Sequence, residues 1–287
     1  MEVAGFAIAL CASFAYAATI STRAFAVWLY FWGGCFCTAT STIVAWYRGP
    51  KVHLTLPDAA FDVLDMVLGP LALSGTRDGL PYHRIADGYA LALLLGTLAL
   101  LRLRGDYVHL RRLLTLYGTV LYLRSVLLPL TSFPDPYPRC QALLPGTRAW
   151  RDIPWASLPY EALQAFTANA AKESMSCGDM MFSGHTTMLV SCALTWHAAL
   201  PRSRAPLNLP KLAAHAYAAV GVLLLLFFRM HYSIDVVTAA LVTFVCWNYQ
   251  AYLCECARRD CVRRPFKHVF LLDGTLLFPA VRWLEKQ

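Results

Sequence analysis

Between Leu212 and Leu253 the chain reads LAAHAYAAVGVLLLLFFRMHYSIDVVTAALVTFVCWNYQAYL. Two apolar runs, Leu212–Met230 and Ile234–Leu253, flank His231-Tyr232-Ser233. Each is about as long as the roughly 20 apolar residues that cross a hydrocarbon core. Lipid offers the backbone no hydrogen-bond partner, so each run must satisfy its own N–H and C=O groups as a helix. The stretch therefore reads as a membrane hairpin whose polar tip carries His231 and, one helical turn on, Asp235.

Working outward, four more segments have the same character: Phe25–Tyr47, Ile85–Leu103, Leu113–Leu130 and Thr186–Leu200. The last is short, so its start is expected within Met180–His185, with those residues at membrane depth. The whole chain agrees. Of 287 residues 58% are hydrophobic and 15% charged, with a mean hydropathy of +0.48. A soluble domain is less apolar and carries about 25% charge. The expected fold class is all-α: a polytopic membrane protein built as a six-transmembrane-helix bundle. Residues 1–23 form an apolar or interfacial N-terminal segment, with a seventh span as the alternative. Residues 24–253 form the catalytic membrane domain, and 254–287 a basic cytosolic tail.

The net charge of +8 does not point to nucleic acid, because no nucleic-acid motif accompanies it. The cations cluster beside apolar runs instead. Arg102, Arg104, Arg111 and Arg112 lie between the second and third spans. Arg202, Arg204 and Lys211 lie between the fourth and fifth, and Arg258, Arg259, Arg263, Arg264 and Lys267 follow the sixth. Such loops face the cytosol. The loops Arg48–Arg84 and Thr131–Asp179 then face the lumen or exterior, and His185 and His231 share that side. Of the 10 cysteines, several lie inside apolar runs and read as small buried hydrophobes. Cys254, Cys256 and Cys261 read as cytosolic thiols, with acylation as the alternative. Cys140 and Cys177 share one lumenal loop, where a disulfide is a hypothesis.

Two clusters carry chemistry. Cys177-Gly178-Asp179-Met180-Met181-Phe182-Ser183-Gly184-His185-Thr186 places a small Ser-Gly pair before a His at a helix start. A helix N-terminus favours an anion such as a phosphodiester, and a His there can donate or accept a proton. The bland alternative is an interfacial His in a tight turn. In His231-Tyr232-Ser233-Ile234-Asp235-Val236 the His and Asp share one helix face. A carboxylate beside an imidazole fixes its tautomer and strengthens the other nitrogen as nucleophile or base. The bland alternative is an Asp helix cap. Arg124, inside the third span, is read as a partner of phosphate or of Asp179, against a snorkelling Arg. His53, His83, His109, His197, His215 and His268 are read as incidental, lacking acids at helical spacing.

At these residues the sequence resembles the sphingomyelin synthase family, a branch of the lipid phosphatase and phosphotransferase superfamily. Cys177 to Thr186 matches that family's third motif, and His231 to Val236 the start of its fourth. Arg111-Arg112 with Leu121-Tyr122-Leu123-Arg124, Thr131 and Pro134 looks like the second, and Leu56-Pro57-Asp58 a remnant of the first. The resemblance implies transfer of a phospho-head group, phosphocholine favoured, from a glycerophospholipid to ceramide, releasing diacylglycerol. It assigns catalysis to His185, His231 and Asp235, with His231 the nucleophile. Arg124, Asp179, Ser183, Gly184 and Tyr232 are the expected substrate-binding residues. No metal and no cofactor are expected. The partners are ceramide, the glycerophospholipid and the bilayer, with a homo-oligomer left open and no nucleic acid. Golgi is the implied membrane, with plasma membrane or endoplasmic reticulum as alternatives.

The family's Tyr and Tyr-His of the sixth helix are replaced near Ala240, Gln250 and Ala251, which leaves choline, ethanolamine and inositol phosphates open. Trp155, Tyr160, Tyr232 and Trp247 are the aromatics that could face a choline. Arg229 could favour an anionic donor or be a plain interfacial cation. The rivals are a lipid phosphate phosphatase or phospholipase C-like hydrolase, and a non-catalytic lipid-binding scaffold. The phosphatase signature is incomplete, since Leu225 and Leu226 occupy its Ser-Arg places.

Overall fold

The computed structural model describes residues 2–49, 56–68, 82–134, 136, 149–164, 180–201, 208–259 and 278–285. Asp179, Cys140, Cys177 and Cys261 lie outside them. The described residues form helices and connecting turns: α1 (Glu2–Ile20), α2 (Thr22–Arg48), α3 (Ala59–Leu68), α4 (Tyr82–Leu103), α5 (Tyr107–Thr131), α6 (Leu158–Gln164), α7 (Gly184–Ala199), α8 (Leu209–Phe227), α9 (Ser233–Arg259) and α10 (Phe278–Glu285). Five of these, α2, α4, α5, α8 and α9, are long and apolar enough to cross a membrane. This is an all-α polytopic membrane protein.

The sixth expected span is α7, and its geometry explains its shortness. Sixteen residues rise about 24 Å, less than a hydrocarbon core of about 30 Å. The preceding Met180, Phe182 and Ser183 are almost wholly buried. Non-helical backbone is tolerated at membrane depth where protein surrounds it. Here it does: α7 packs against α4, α5, α8 and α9. The α4, α7 and α8 faces meet in a cluster around Ala90, Leu93, Leu189, Cys192, Ala218 and Leu225.

The largest helix–helix interface joins α2 to α5. Two glycines permit it. A Cβ on Gly34 would lie 2.9 Å from Gly118 O, and one on Gly118 would lie 3.0 Å from the Tyr30 ring. Small residues let membrane helices approach this closely. The contact is sealed by Thr38 Oγ1 donating to Leu121 O at 2.9 Å and by Tyr30 OH against Thr119 Oγ1 at 3.0 Å. Arg48 donates to Pro129 O at the far end. These contacts run in one direction along both helices, so α2 and α5 are parallel, as alternate spans require.

Ser21 breaks the N-terminal apolar stretch and caps α2, its hydroxyl accepting from Ala24 N at 3.0 Å. α1 folds back on α2. Trp28 Nε1 donates to Ser13 Oγ at 3.0 Å, and the rings of Phe14 and Phe25 meet edge to face. Elsewhere Asp106 caps α5 through His109 N and also holds His109 Nδ1 at 2.7 Å. His109 therefore has an acid at helical spacing, three residues before it, contrary to the sequence reading.

Candidate active site

The site begins where α8 stops. Phe227 ends that helix, Arg229 adopts a left-handed φ of 52°, and Met230 N reaches back to Leu225 O at 2.9 Å. Arg229 N bonds Leu226 O at 3.0 Å, completing a Schellman turn. A non-glycine residue in this conformation costs roughly 1–2 kcal/mol. Arg229 is held there by Asp65 of α3, with Nη2 at 2.7 Å from each carboxylate oxygen. Its guanidinium also lies over the Phe61 ring. So Arg229 is neither a bare interfacial cation nor an open anion site. Its turn delivers His231 to the bundle interior.

His231 and Asp235 are both buried, and His231 Nδ1 stands 3.8 Å from Asp235 Oδ2. That is an ion-pair distance, about 1 Å longer than a hydrogen bond. Oδ2 meanwhile accepts from Tyr232 N at 3.1 Å, reaching back from the third helical residue to the N-cap as the acid of a capping box does. His231 Nδ1 and Asp235 Oδ1 have no hydrogen-bond partner among the described residues. The carboxylate that bonds the start of α9 is thus also the one that faces His231.

Asp235 also ties the two clusters together, since Ser183 N donates to its backbone O at 3.2 Å. Ser183 caps α7 by accepting from Thr186 N at 3.1 Å. The next residues, Gly184 and His185, open α7. The His185 and His231 rings lie 6.1 Å apart, centroid to centroid.

Arg124 is 3% exposed, so it does not snorkel. Its Nε donates to Phe182 O at 2.6 Å. A Cβ on Gly184 would sit 3.5 Å from its Cζ, an ordinary contact, so the guanidinium lies beside the start of α7. Met181, just before, holds a strained φ of 150°. Phe182 and Ser183 pin the segment from both sides through Arg124 and Asp235.

Tyr232 is 1% exposed, its ring tilted against that of Phe61, and its hydroxyl accepts from Leu56 N at 3.0 Å. Asp58 Oδ2 accepts from Ser233 N at 2.6 Å and Oδ1 from Ala60 N at 2.9 Å. The Leu56–Asp58 remnant thus buttresses the His231 turn, and Tyr232 is part of that buttress. Trp155 and Tyr160 are exposed, Trp155 stacking on Trp150, while Trp247 packs on the α5–α9 core.

Asp87 is the residue that sequence reasoning missed. It sits in the second turn of α4, and its Oδ1 lies 2.7 Å from His185 Nε2. The available signal was an acid inside an apolar span, a costly placement that marks function. Among the described residues no cluster of three or more His, Cys, Asp or Glu side chains is disposed to hold a metal ion.

The class these features define is a polytopic membrane protein with a two-histidine site between helix N-termini. Residues 176–252 match the family described as PAP2 superfamily C-terminal. A Caenorhabditis elegans relative, "Putative phosphatidylcholine:ceramide cholinephosphotransferase 3", is 32% identical over 151 residues, 51% of this chain and 42% of the relative. The chain thus spans about two-fifths of the curated relative's length. The chain is thus similar to the PAP2 superfamily over residues 176–252 and to that cholinephosphotransferase-named relative over about half of its own length.

Proposed function

We propose that this chain is a phosphotransferase that moves a phospho-head group, phosphocholine favoured, from a glycerophospholipid to ceramide. The observation that carries the reading is a pair of histidines, each faced by a carboxylate, with rings 6.1 Å apart. Asp235 faces His231 Nδ1 and leaves Nε2 to attack phosphorus. As the P–O bond to diacylglycerol breaks, His185 gives that oxygen a proton. The product is a head group held on His231 through an N–P bond. His185 then takes the proton from the ceramide hydroxyl, whose oxygen displaces the histidine and regenerates the enzyme.

Arg124 and the N-terminus of α7 suit the phosphoryl charge that grows in each step. Asp87 holds His185 Nε2 and leaves Nδ1 for proton transfer. Ser183 and Gly184 shape the anion end of α7. The basic loops argue for a lumenal site, with Golgi as the membrane of residence.

A hydrolase reading has one observation in its favour: Asp87 is about half exposed, so water reaches the dyad. The experiment is a head-group transfer assay on purified protein. Fluorescent ceramide is offered with phosphatidylcholine, phosphatidylethanolamine or phosphatidylinositol in separate tubes. Labelled phospho-ceramide in one tube supports the transferase and names the donor. Free phosphocholine or phosphate without phospho-ceramide moves the chain to the hydrolases.

A further inference from the structure

Helix α3 carries apolar residues on both of its faces. On one, Phe61 is buried in a cluster with Met180 and Tyr232, against which Leu226 packs. Asp65, four residues on, shares that face and holds Arg229. On the opposite face Val63, Met66 and Val67 stand at helical spacing and are 56%, 83% and 72% exposed. Single apolar residues at a surface are ordinary, but a contiguous ridge marks an interaction surface.

The depth of this ridge is fixed by the site. Asp58, just ahead of α3, accepts from Ser233 N at 2.6 Å through Oδ2 and from Ala60 N at 2.9 Å through Oδ1. One buried carboxylate thus ties the start of α3 to the start of α9. Asp65 ties the middle of α3 to Arg229, in the turn that follows α8. Phe227 and Ser233 are the ends of two candidate membrane spans. The helix is therefore bolted to the bundle at the level where α8 leaves the hydrocarbon and α9 enters it. Ile234, next to the Ser233 that Asp58 holds, is 54% exposed, and Val237 and Leu241 continue an outward apolar stripe along α9. The lipid that faces this stripe begins at the level of the α3 ridge. Interfacial helices sink their apolar face about 5–10 Å into the boundary of headgroups and acyl chains. In α3 the opposite face is taken up by the protein, which leaves the ridge for the lipid.

We propose that α3 is an interfacial helix whose Val63–Met66–Val67 ridge is embedded among the acyl chains of the leaflet on the histidine side. Through Asp58 and Asp65 that leaflet then bears on the turn that carries His231. The placement does not depend on the proposed reaction.

The test places the full-length protein in phosphatidylcholine nanodiscs and labels it from both phases. From the lipid, a phosphatidylcholine with a diazirine on one acyl chain is photolysed, and carbene adducts are mapped by peptide mass spectrometry. From the water, hydrogen peroxide converts accessible methionine to the sulfoxide. The expected result is carbene adducts on the ridge residues, with Met66 oxidised several-fold more slowly than free methionine in the same buffer. Val63→Asp with Val67→Asp puts two charges on the ridge, which lipid does not accommodate. That pair loses the adducts and opens Met66 to peroxide, whereas Val63→Leu with Val67→Leu keeps the adducts and the protection. Both pairs lie opposite Phe61 and Asp65, so the unfolding midpoints stay close to that of the unmodified protein. Met66 oxidised at the rate of free methionine, with no adduct on the helix, would overturn the proposal by placing the ridge in water. Protection from peroxide without adducts would overturn it too, in favour of a second copy of the chain or another protein surface. So would adducts undiminished in the Asp pair.

Discussion

Asp87 and His185 lie 98 positions apart in sequence and meet at 2.7 Å between Oδ1 and Nε2. The contact links α4 to the first turn of α7 and gives the second histidine its own carboxylate. The arrangement is near-symmetric: two histidines on one face of the bundle, each with an acid from a helix start. The first prediction concerns this pair. Removing a partner that orients a catalytic imidazole typically costs 10–100-fold. Asp87→Asn should lower kcat for head-group transfer by about that factor, with thermal unfolding little changed. Unchanged kcat would separate Asp87 from the chemistry.

Asp235 carries two duties that one substitution can separate. Asp235→Asn keeps an oxygen to accept from Tyr232 N but loses the charge facing His231. We expect kcat to fall by about 10²–10⁴, as for an Asp that fixes a catalytic tautomer, while the protein remains folded by circular dichroism. Asp235→Ala should in addition destabilise by roughly 1 kcal/mol through loss of the hydrogen bond from Tyr232 N. Equal activity of the Asn and unmodified proteins would contradict the helper role.

Arg229 is predicted to matter more to the site than to stability. Its ion pair with Asp65 is partly exposed, 23% and 40% for the two side chains, so screening leaves it within about 1 kcal/mol. Arg229→Lys removes the planar guanidinium that lies over the Phe61 ring while keeping the charge beside Asp65. Several-fold slower transfer is expected, with an unfolding midpoint shifted by only a few degrees. A large stability loss at full activity would reverse this assignment.

The close approach of α2 and α5 gives a steric prediction with an internal control. Gly34→Val puts side-chain atoms into the Gly118 backbone, 2.9 Å from a Cβ at that place. Overpacking of this kind costs about 1–3 kcal/mol. At Gly96 of α4 a Cβ meets nothing within 4 Å, so Gly96→Ala should be neutral or stabilise by roughly 0.5–1 kcal/mol. Unfolding of both variants in a detergent titration checks the contrast.

The helices were legible because membrane spans write themselves as apolar runs, and five of the six meet the length a bilayer demands. The sixth, α7, was legible only as too short, since its depth is completed by buried extended residues rather than by helix. His185, His231, Asp235 and Arg124 could be singled out because each is a polar residue within or at the edge of an apolar run. Asp87 obeys the same rule and was overlooked because its partner is 98 positions away, which no local spacing reveals. The Asp58–Ser233, Tyr232–Leu56 and Asp65–Arg229 contacts were hidden for that reason too. They join α3 and the chain before it to the α8–α9 turn, and only the folded bundle brings these together.

The central claim is that the head group passes through His231. The most direct measurement is rapid quenching of the enzyme with phosphatidylcholine and no ceramide, followed by intact-mass analysis. A mass gain of one phosphocholine group is expected in the unmodified protein, lost in His231→Ala and discharged to ceramide on its addition. An adduct that persists in His231→Ala, or ceramide transfer at full rate with no adduct at any time point, would contradict it.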